Sequence, residues 1–344
     1  MTLPMRPLGT SGLEITTVGF GAWAAGGGDW RYGWGPQDDD ASAAAIRHAL
    51  DLGVGWIDTA AAYGIGHSEQ VVGDVLRSLP AGSRPLVFTK GGVVSDPARP
   101  FEEPVFMSRP DSIRAEVDAS LRRLGVDRID LYQLHWPDRT GVPVEDSWSE
   151  LGRLADAGKV GAIGVSNFTV DLLERIEPIR HVDSIQPPFS LVLRDAAADV
   201  IGWAAAHGTG VVVYSPMQSG ILTAGFTADR VAAMDAHDWR RAAGPFQQPG
   251  LDRSLALRDA LRPIASRHGV SVGAVAVAWT HAWRGVTGAI VGARSTAQVD
   301  GWIGAPWVGL TDEDLDEIAL AIGATGAGSG PARPDPRVAA AAGA

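Results

Sequence analysis

Four polar residues in this chain stand at or just past the end of apolar runs, and their types are those of acid–base chemistry. Asp58 and Tyr63 lie in Gly55-Trp-Ile-Asp-Thr-Ala-Ala-Ala-Tyr63. Lys90 closes Pro85-Leu-Val-Phe-Thr-Lys90, and His135 closes Ile129-Asp-Leu-Tyr-Gln-Leu-His135. In a parallel barrel such strand ends all open on one rim, where reactive groups converge. A carboxylate, a phenol, an ammonium and an imidazole gathered there can move a proton to or from a bound molecule. Taken singly, each has a plainer explanation. Asp58 and Lys90 could form a structural ion pair, Tyr63 could pack at a helix start, and His135 could be a satisfied hydrogen-bond partner. Their order and shared placement argue for chemistry.

The elements that must position them alternate along the chain. Eight short apolar runs read as strands: Thr17–Gly21, Gly55–Ala60, Leu86–Lys90, Ile129–His135, Ala162–Ser166, Ser184–Pro187, Gly210–Ser215 and Thr287–Gly292. They are continuous rather than alternating, as strands buried on both faces are. Helical segments separate them. In Arg109–Leu124, Ile113, Val117, Leu121 and Leu124 recur at helical spacing and Gly125 supplies the stop. Ala41–Leu52, Asp146–Ala157 and Leu255–His268 end at glycine in the same way. Eight strand–helix units imply a (β/α)8 TIM barrel, with an open doubly wound sheet as the alternative.

Three stretches fall outside the repeat. Leu8–Ile15 reads as an N-terminal β-hairpin. Gly220–Asp252 is a long loop after strand seven, of the kind that forms lids or stays disordered. The tail 326–344, rich in Gly, Ala and Pro, is expected to fray, leaving 1–325 as a single barrel domain.

One motif misleads. Gly19-Phe-Gly21-Ala-Trp-Ala24 matches G-x-G-x-x-[GA], with Asp38–Asp40 downstream. That fingerprint requires a helix to open at the glycines. Gly26-Gly-Gly-Asp-Trp-Arg-Tyr-Gly-Trp-Gly35 cannot open one. It reads instead as a pocket wall, with Trp23, Trp30 and Trp34 supplying flat apolar surface.

Composition narrows the function. The 344 residues are 45% apolar and 20% charged, with net charge −11. That suits a soluble globular protein and disfavours nucleic acid or an anionic membrane as partner. The chain has no cysteine, which excludes thiolate catalysis and Cys-ligated zinc. No apolar run resembles a signal peptide or a spanning helix, so a cytoplasmic location is expected.

With these residues set out, the chain resembles the aldo-keto reductase family over nearly its whole length. The matching motifs are Trp56-Ile-Asp58-Thr-Ala-Ala-Ala-Tyr63-Gly with Gly66-His-Ser-Glu69, Thr89-Lys90, Leu131-Tyr-Gln-Leu-His135-Trp-Pro-Asp138, Gly164-Val-Ser-Asn-Phe168, Gln186-Pro, Tyr214-Ser-Pro216 and Gly292-Ala-Arg-Ser295. The resemblance implies reversible reduction of an aldehyde or ketone by NADPH, without metal. Tyr63 matches the family's proton donor. Lys90 would lower its pKa, Asp58 would hold Lys90, and His135 would orient the carbonyl.

The resemblance also implies a cofactor site. Ser166, Asn167 and Gln186 match the groups that hold the nicotinamide carboxamide, and Tyr214 matches the ring that stacks on it. Gly21, Ala22 and Trp23 would lie beside the nicotinamide, near Ser215, Pro216 and Met217. Gly292, Arg294 and Gln298 would flank the phosphates at a helix N-terminus, with Arg294 on the adenosine 2′-phosphate. Relatives usually carry Glu-Asn where this chain has Gly301-Trp302. Trp302 would either stack on adenine or leave it unread. Trp23, Trp30, Trp34 and Trp136 would line the substrate pocket, with Met217, Phe226 and Trp239 closing over it. Such walls favour an apolar or aromatic carbonyl compound, and no basic cluster calls for a phosphorylated one. Two other functions compete. A nucleotide-binding regulatory module with slow or no turnover would retain cofactor without chemistry. A barrel glycosidase would need a second strand-end carboxylate beside Asp58.

Overall fold

The structure, a computed structural model, describes residues 2–80, 82–235 and 238–334. Eight parallel strands form a closed barrel. They are β1 (Val18–Gly21), β2 (Trp56–Asp58), β3 (Leu86–Gly91), β4 (Ile129–Leu134), β5 (Val160–Ser166), β6 (Ser184–Gln186), β7 (Gly210–Val213) and β8 (Val286–Gly292). Each pairs with the next in sequence, and β8 closes on β1 through Ala289↔Val18 and Gly292↔Gly21. The eight expected strands are all present, with no end shifted by more than two residues.

Inside the barrel, Trp56, Phe88, Leu131, Val212 and Ile290 form one buried cluster. The Trp56 and Phe88 rings lie 5.0 Å apart. Gly19 faces this packing, and a Cβ there would stand 2.2 Å from the Trp56 indole. The N-terminal hairpin pairs Met5–Pro7 with Glu14–Thr16, so the expected Leu8–Ile15 holds its turn and most of its second strand but not its first. Leu8 and Ile15 flank its turn and join the barrel cluster from below. That end is stoppered, which leaves the carboxyl end of the strands open.

Helices cover the outside. The segment expected at Arg109–Leu124 is α3 (Pro110–Leu124). It follows α1 (Asp39–Asp51), opened by the Asp38 carboxylate accepting from the Ala41 amide at 2.8 Å, and α2 (His67–Ser78). The glycine-rich stretch after β1 makes only a short 3-10 turn at Trp23–Gly26, so the dinucleotide fingerprint has no helix to open. Leu255–His268 is not one helix but two, Gly250–Ala260 and Arg262–His268. Pro263 supplies no N–H to continue the first.

Of the stretches outside the repeat, the long loop is ordered and part of the tail departs from the expected fraying. The 220–252 stretch is built around its own buried cluster of Ile221, Phe226, Phe246 and Leu251, and carries short helices at Ala228–Ala232 and Trp239–Ala242. Residues 326–334 do not fray. Ser329 bridges to Leu193, and the Arg194 guanidinium donates to the carbonyls of Ala327 (3.0 Å) and Gly330 (3.2 Å). Arg333 pairs with Asp312 and Asp316. The rest of the expected frayed tail, 335–344, lies outside the described residues. No described helix is long and apolar enough to cross a membrane.

Candidate active site

At the open end of the barrel is a cavity of about 750 Å³. Asp58 ends β2, Lys90 is the penultimate residue of β3, and His135 follows β4. Tyr63 lies in the turn between β2 and α2. Its position depends on a close backbone contact. Gly64 has φ +60°, and a Cβ there would fall 2.1 Å from the Gly26 carbonyl oxygen. The glycine run after β1 therefore lets that loop press against Tyr63.

Lys90 is the hub. Its ammonium donates to Asp58 Oδ1 at 2.6 Å, to the Thr59 carbonyl at 2.9 Å and to Tyr63 Oη at 3.2 Å. Lys90 is fully buried and does not line the cavity, whereas Asp58, Tyr63 and His135 do. Any effect of Lys90 on a bound molecule must therefore pass through Tyr63 or Asp58. Gln186 donates to Asp58 Oδ2 at 3.0 Å, which fixes the second carboxylate oxygen. The His135 ring meets Tyr63 edge-on at 5.6 Å.

The electrostatics differ from the sequence expectation in one respect. Burial and the nearby Asp58 charge push the Tyr63 phenol well above its ordinary value, rather than below it. Burial moves Lys90 down and Asp58 up, against their mutual attraction. Burial and the Lys90 charge also hold His135 well below 6.5. At neutral pH the site thus presents a protonated phenol and a neutral imidazole. A neutral imidazole donates through one nitrogen and accepts through the other. Nδ1 of His135 is buried with no partner among the described residues.

A polar shelf adjoins this group. Ser166 Oγ donates to the Gln186 carbonyl at 2.8 Å. Asn167, held at φ +63°, donates to the His135 carbonyl and to Ser166 Oγ, both at 3.0 Å. Tyr214 donates to Asn167 Oδ1 at 2.8 Å, which fixes its ring beside the shelf. Ser215, Gln218 and Ser219 also have positive φ. Non-glycine residues in this region cost energy, and they cluster at ligand sites.

The cavity gathers Gly21, Trp23, Trp30, Trp34 and Trp136, and also Ser215, Pro216, Met217, Gly292, Arg294 and Gln298. Ala22 is the exception. It is buried, its amide donates to the Asp58 carbonyl at 2.8 Å, and its carbonyl accepts from Ser68 Oγ at 2.7 Å. Its role is to join β1 to the site. Trp302 reaches the cavity edge but is 1% exposed and packs into the helix–strand core.

Arg294 is braced across the mouth. Its Nε donates to Gln37 Oε1 at 2.6 Å and its Nη2 to the Pro36 carbonyl, while its backbone amide donates to Gln298 Oε1 at 2.8 Å. Arg230 and Arg240 are close enough to lower the Arg294 pKa further, after burial. Arg240 is itself paired with Asp238 at 2.6 Å and lies 4.6 Å over the Trp34 ring. The sequence had suggested no basic cluster here. The fold makes one from residues that belong to two different loops.

The aromatic wall is continuous. Trp23 lies 4.8 Å from Tyr63, 5.4 Å from Trp30 and 6.4 Å from Trp239. Phe106 meets Trp136 at 5.9 Å and adds a ring the sequence had not singled out. Arg139 lies in an irregular turn, and Phe106, Arg230 and Arg240 lie in strands or helices of two to five residues, too short for a periodicity to signal which side chains face inward.

Comparisons with known proteins agree with this geometry. The Aldo/keto reductase family matches residues 17–322. Aldo-keto reductase YhdN of Bacillus subtilis is 33% identical over 90% of each chain. The NADH-specific methylglyoxal reductase of Escherichia coli is 31% identical over 92% of this chain and 98% of its own. The solved glycerol dehydrogenase AKR11B4 from Gluconobacter oxydans is 35% identical with a TM-score of 0.84, covering 95% of this chain and 97% of its own. The chain belongs to the aldo-keto reductase family, whose members are oxidoreductases that act on carbonyl groups with nicotinamide cofactors.

Proposed function

We propose that this aldo-keto reductase reduces an aldehyde or ketone to the alcohol with NADPH, reversibly, and that Tyr63 gives the proton. The observation that carries the reading is the buried Lys90 ammonium, shared between Asp58 at 2.6 Å and Tyr63 at 3.2 Å, with Tyr63 facing the cavity. A bound nicotinamide supplies the hydride.

The chain's own groups supply the rest. His135 hydrogen-bonds the carbonyl oxygen and turns it toward Tyr63. As charge develops on that oxygen, the Tyr63 phenol passes over its proton. Lys90 stabilises the tyrosinate left behind, and Asp58 keeps Lys90 charged and aimed. The high phenol pKa keeps Tyr63 loaded with its proton throughout neutral pH. The aromatic wall excludes water and shapes the carbonyl's surroundings.

The fit to the cofactor rests on three features. Ser166, Asn167 and Gln186 offer amide and hydroxyl groups of the kind that hold a carboxamide, beside the fixed Tyr214 ring. Gly21 and Gly292 keep the barrel rim low between β1 and β8. Arg230, Arg240 and Arg294 supply positive charge for phosphates. Support for NADPH over NADH comes from Arg294. Its Nε and Nη2 are occupied, so Nη1 is left to meet a 2′-phosphate.

The test is loss of NADPH or NADH absorbance across a panel of aldehydes and ketones, beside Tyr63→Phe. Consumption by the wild type alone is the expected result. A Tyr63→Phe protein with near-normal turnover would remove Tyr63 as the acid. Equal use of the two cofactors would remove the preference for NADPH.

A further inference from the structure

We propose that Arg139 is a specificity-determining residue that binds an anionic group, a carboxylate or a phosphate, on the carbonyl substrate. The proposal rests on the reductase reading only in making the ligand a carbonyl compound.

Arg139 lines the same cavity as Tyr63 and His135. Its guanidinium lies 4.0 Å over the Phe106 ring and 5.8 Å over the Trp136 ring. Trp136 is the residue directly after His135. The backbone is fixed as well, since the Arg139 amide donates to the Phe106 carbonyl at 2.9 Å.

The acids around Arg139 are already committed. Asp138 turns its carboxylate on its own loop. Oδ1 accepts from the amides of Thr140 (2.6 Å) and Val142 (3.0 Å), and Oδ2 from the Ser108 amide (2.7 Å). In the facing loop, Asp96 and Glu102 pair with Arg99 at 2.9 and 3.0 Å. Glu103 accepts from Arg31 at 3.4 Å and from the Tyr32 hydroxyl. Among the described residues, no carboxylate forms an ion pair with Arg139, and no side-chain hydrogen bond of its own uses its five N–H donors.

A guanidinium stacked on a ring keeps its edge donors for a planar anion, and the stacking lowers the entropy lost when they engage. Arg139 itself is exposed at the cavity mouth, so water meets those donors until a substrate covers them. Arg139 would therefore grip one end of a substrate whose carbonyl lies at Tyr63, in the way that arginine commonly grips carboxylates and phosphates by two parallel bonds. The aromatic lining then contacts the body between the two ends. A neutral aromatic aldehyde would satisfy that lining but leave the cation unused.

The experiment compares matched substrates on the full chain. Steady-state reduction is measured for 4-carboxybenzaldehyde against 4-carbamoylbenzaldehyde, and for glyceraldehyde 3-phosphate against glyceraldehyde, with either cofactor. The wild type should favour at least one charged member by about tenfold to a hundredfold in kcat/KM, expressed mostly in KM. Arg139→Gln should collapse that ratio to near one, and Arg139→Lys should restore part of it. Which pair shows the effect tells carboxylate from phosphate. A wild type without preference, or a preference that survives Arg139→Gln, overturns the proposal while leaving the reductase reading in place.

If no aldehyde is consumed, the reductase reading fails, and calorimetry decides the anion site separately. It would compare 4-(hydroxymethyl)benzoate with 4-(hydroxymethyl)benzamide, and inorganic phosphate with sulfate-free buffer, on the wild type and Arg139→Gln. Tighter binding of an anion that Arg139→Gln removes supports the site. Equal binding in both proteins overturns it.

Discussion

The floor of the cavity and its rim are built on different principles. Asp58, Lys90 and His135 come from strands or their last bonds and are 8% exposed or less; Lys90 ties Asp58 and Tyr63 together at 2.6 and 3.2 Å, and the His135 ring packs edge-on against Tyr63. The rim is made of loops. Trp34, Phe106, Arg139, Trp239 and Arg240 meet by ring contacts and cation–ring contacts rather than by a shared hydrogen-bonded hub. A strand end is positioned by its neighbours on both sides, so the floor inherits the precision of the barrel. A loop side chain is positioned by whatever it touches, so the rim can change without disturbing the floor. Chemistry should therefore fail when the floor is altered, and selectivity should change when the rim is altered.

The largest effect that would break this contrast lies at the floor. Tyr63→Phe is expected to cut kcat by about 10²- to 10⁴-fold, the usual range for a lost general acid, while cofactor affinity by fluorescence titration stays within about twofold. A similar loss of affinity would mean that the floor holds ligand rather than reacting.

Lys90→Met should be nearly as damaging to turnover and also lower thermal stability. Removing one partner of a buried ion pair leaves Asp58 uncompensated, at a cost of about 3–5 kcal/mol. Denaturant unfolding measures that cost. A protein of unchanged stability would mean that Asp58 takes up a proton without difficulty.

At the rim, Arg294→Ala is expected to weaken NADPH by about tenfold and NADH by less than about twofold, read from the two dissociation constants. Equal losses would mean that the Gln37 and Pro36 contacts brace the mouth and do not leave Arg294 for a phosphate. Trp30→Ala should raise KM for an aromatic aldehyde severalfold with little change in kcat, since it removes packing area and no proton-transfer group.

The smallest effect is one of pH. Tyr63 titrates well above the neutral range and His135 well below 6.5. The phenol stays protonated until pH rises past its raised value, and the imidazole charges only as pH falls past its lowered one. The rate of reduction should then be flat from about pH 6 to about pH 8. A break near 6.5 that disappears in His135→Gln would show that the imidazole titrates in the ordinary range after all.

This contrast also accounts for what the sequence disclosed. Apolar runs such as Ile129–Leu134 ending at His135 are visible because a strand buried on both faces has few alternatives, and its last residue must face the rim. Asp58, Lys90 and His135 were legible for that reason; Tyr63 lies in the turn beyond β2, and Ser166, Asn167 and Gln186 were assigned through the family resemblance. Arg240 and Arg139 were not. Arg240 sits in an irregular insertion, and its meeting with Trp34 joins residues some 200 positions apart with no pattern to announce it. Ala22 illustrates the opposite error. Adjacency to Gly21 suggested a ligand contact, but the turn after β1 sends it into the core. The direction of the Tyr63 shift was also hidden, because it comes from burial and the nearby Asp58 charge, which act only once the site is packed.

The seam between β8 and β1 bears on how the chain reaches this state. Val18 finds its partner only when Ala289 has been made. Until then a growing sheet carries two bare edges, and the most distant pairing in the barrel is among the last to form. Contacts that far apart slow folding and expose partly built sheets to association with other chains. During synthesis, the N-terminal hairpin that stoppers the barrel is therefore ready long before there is a barrel to stopper.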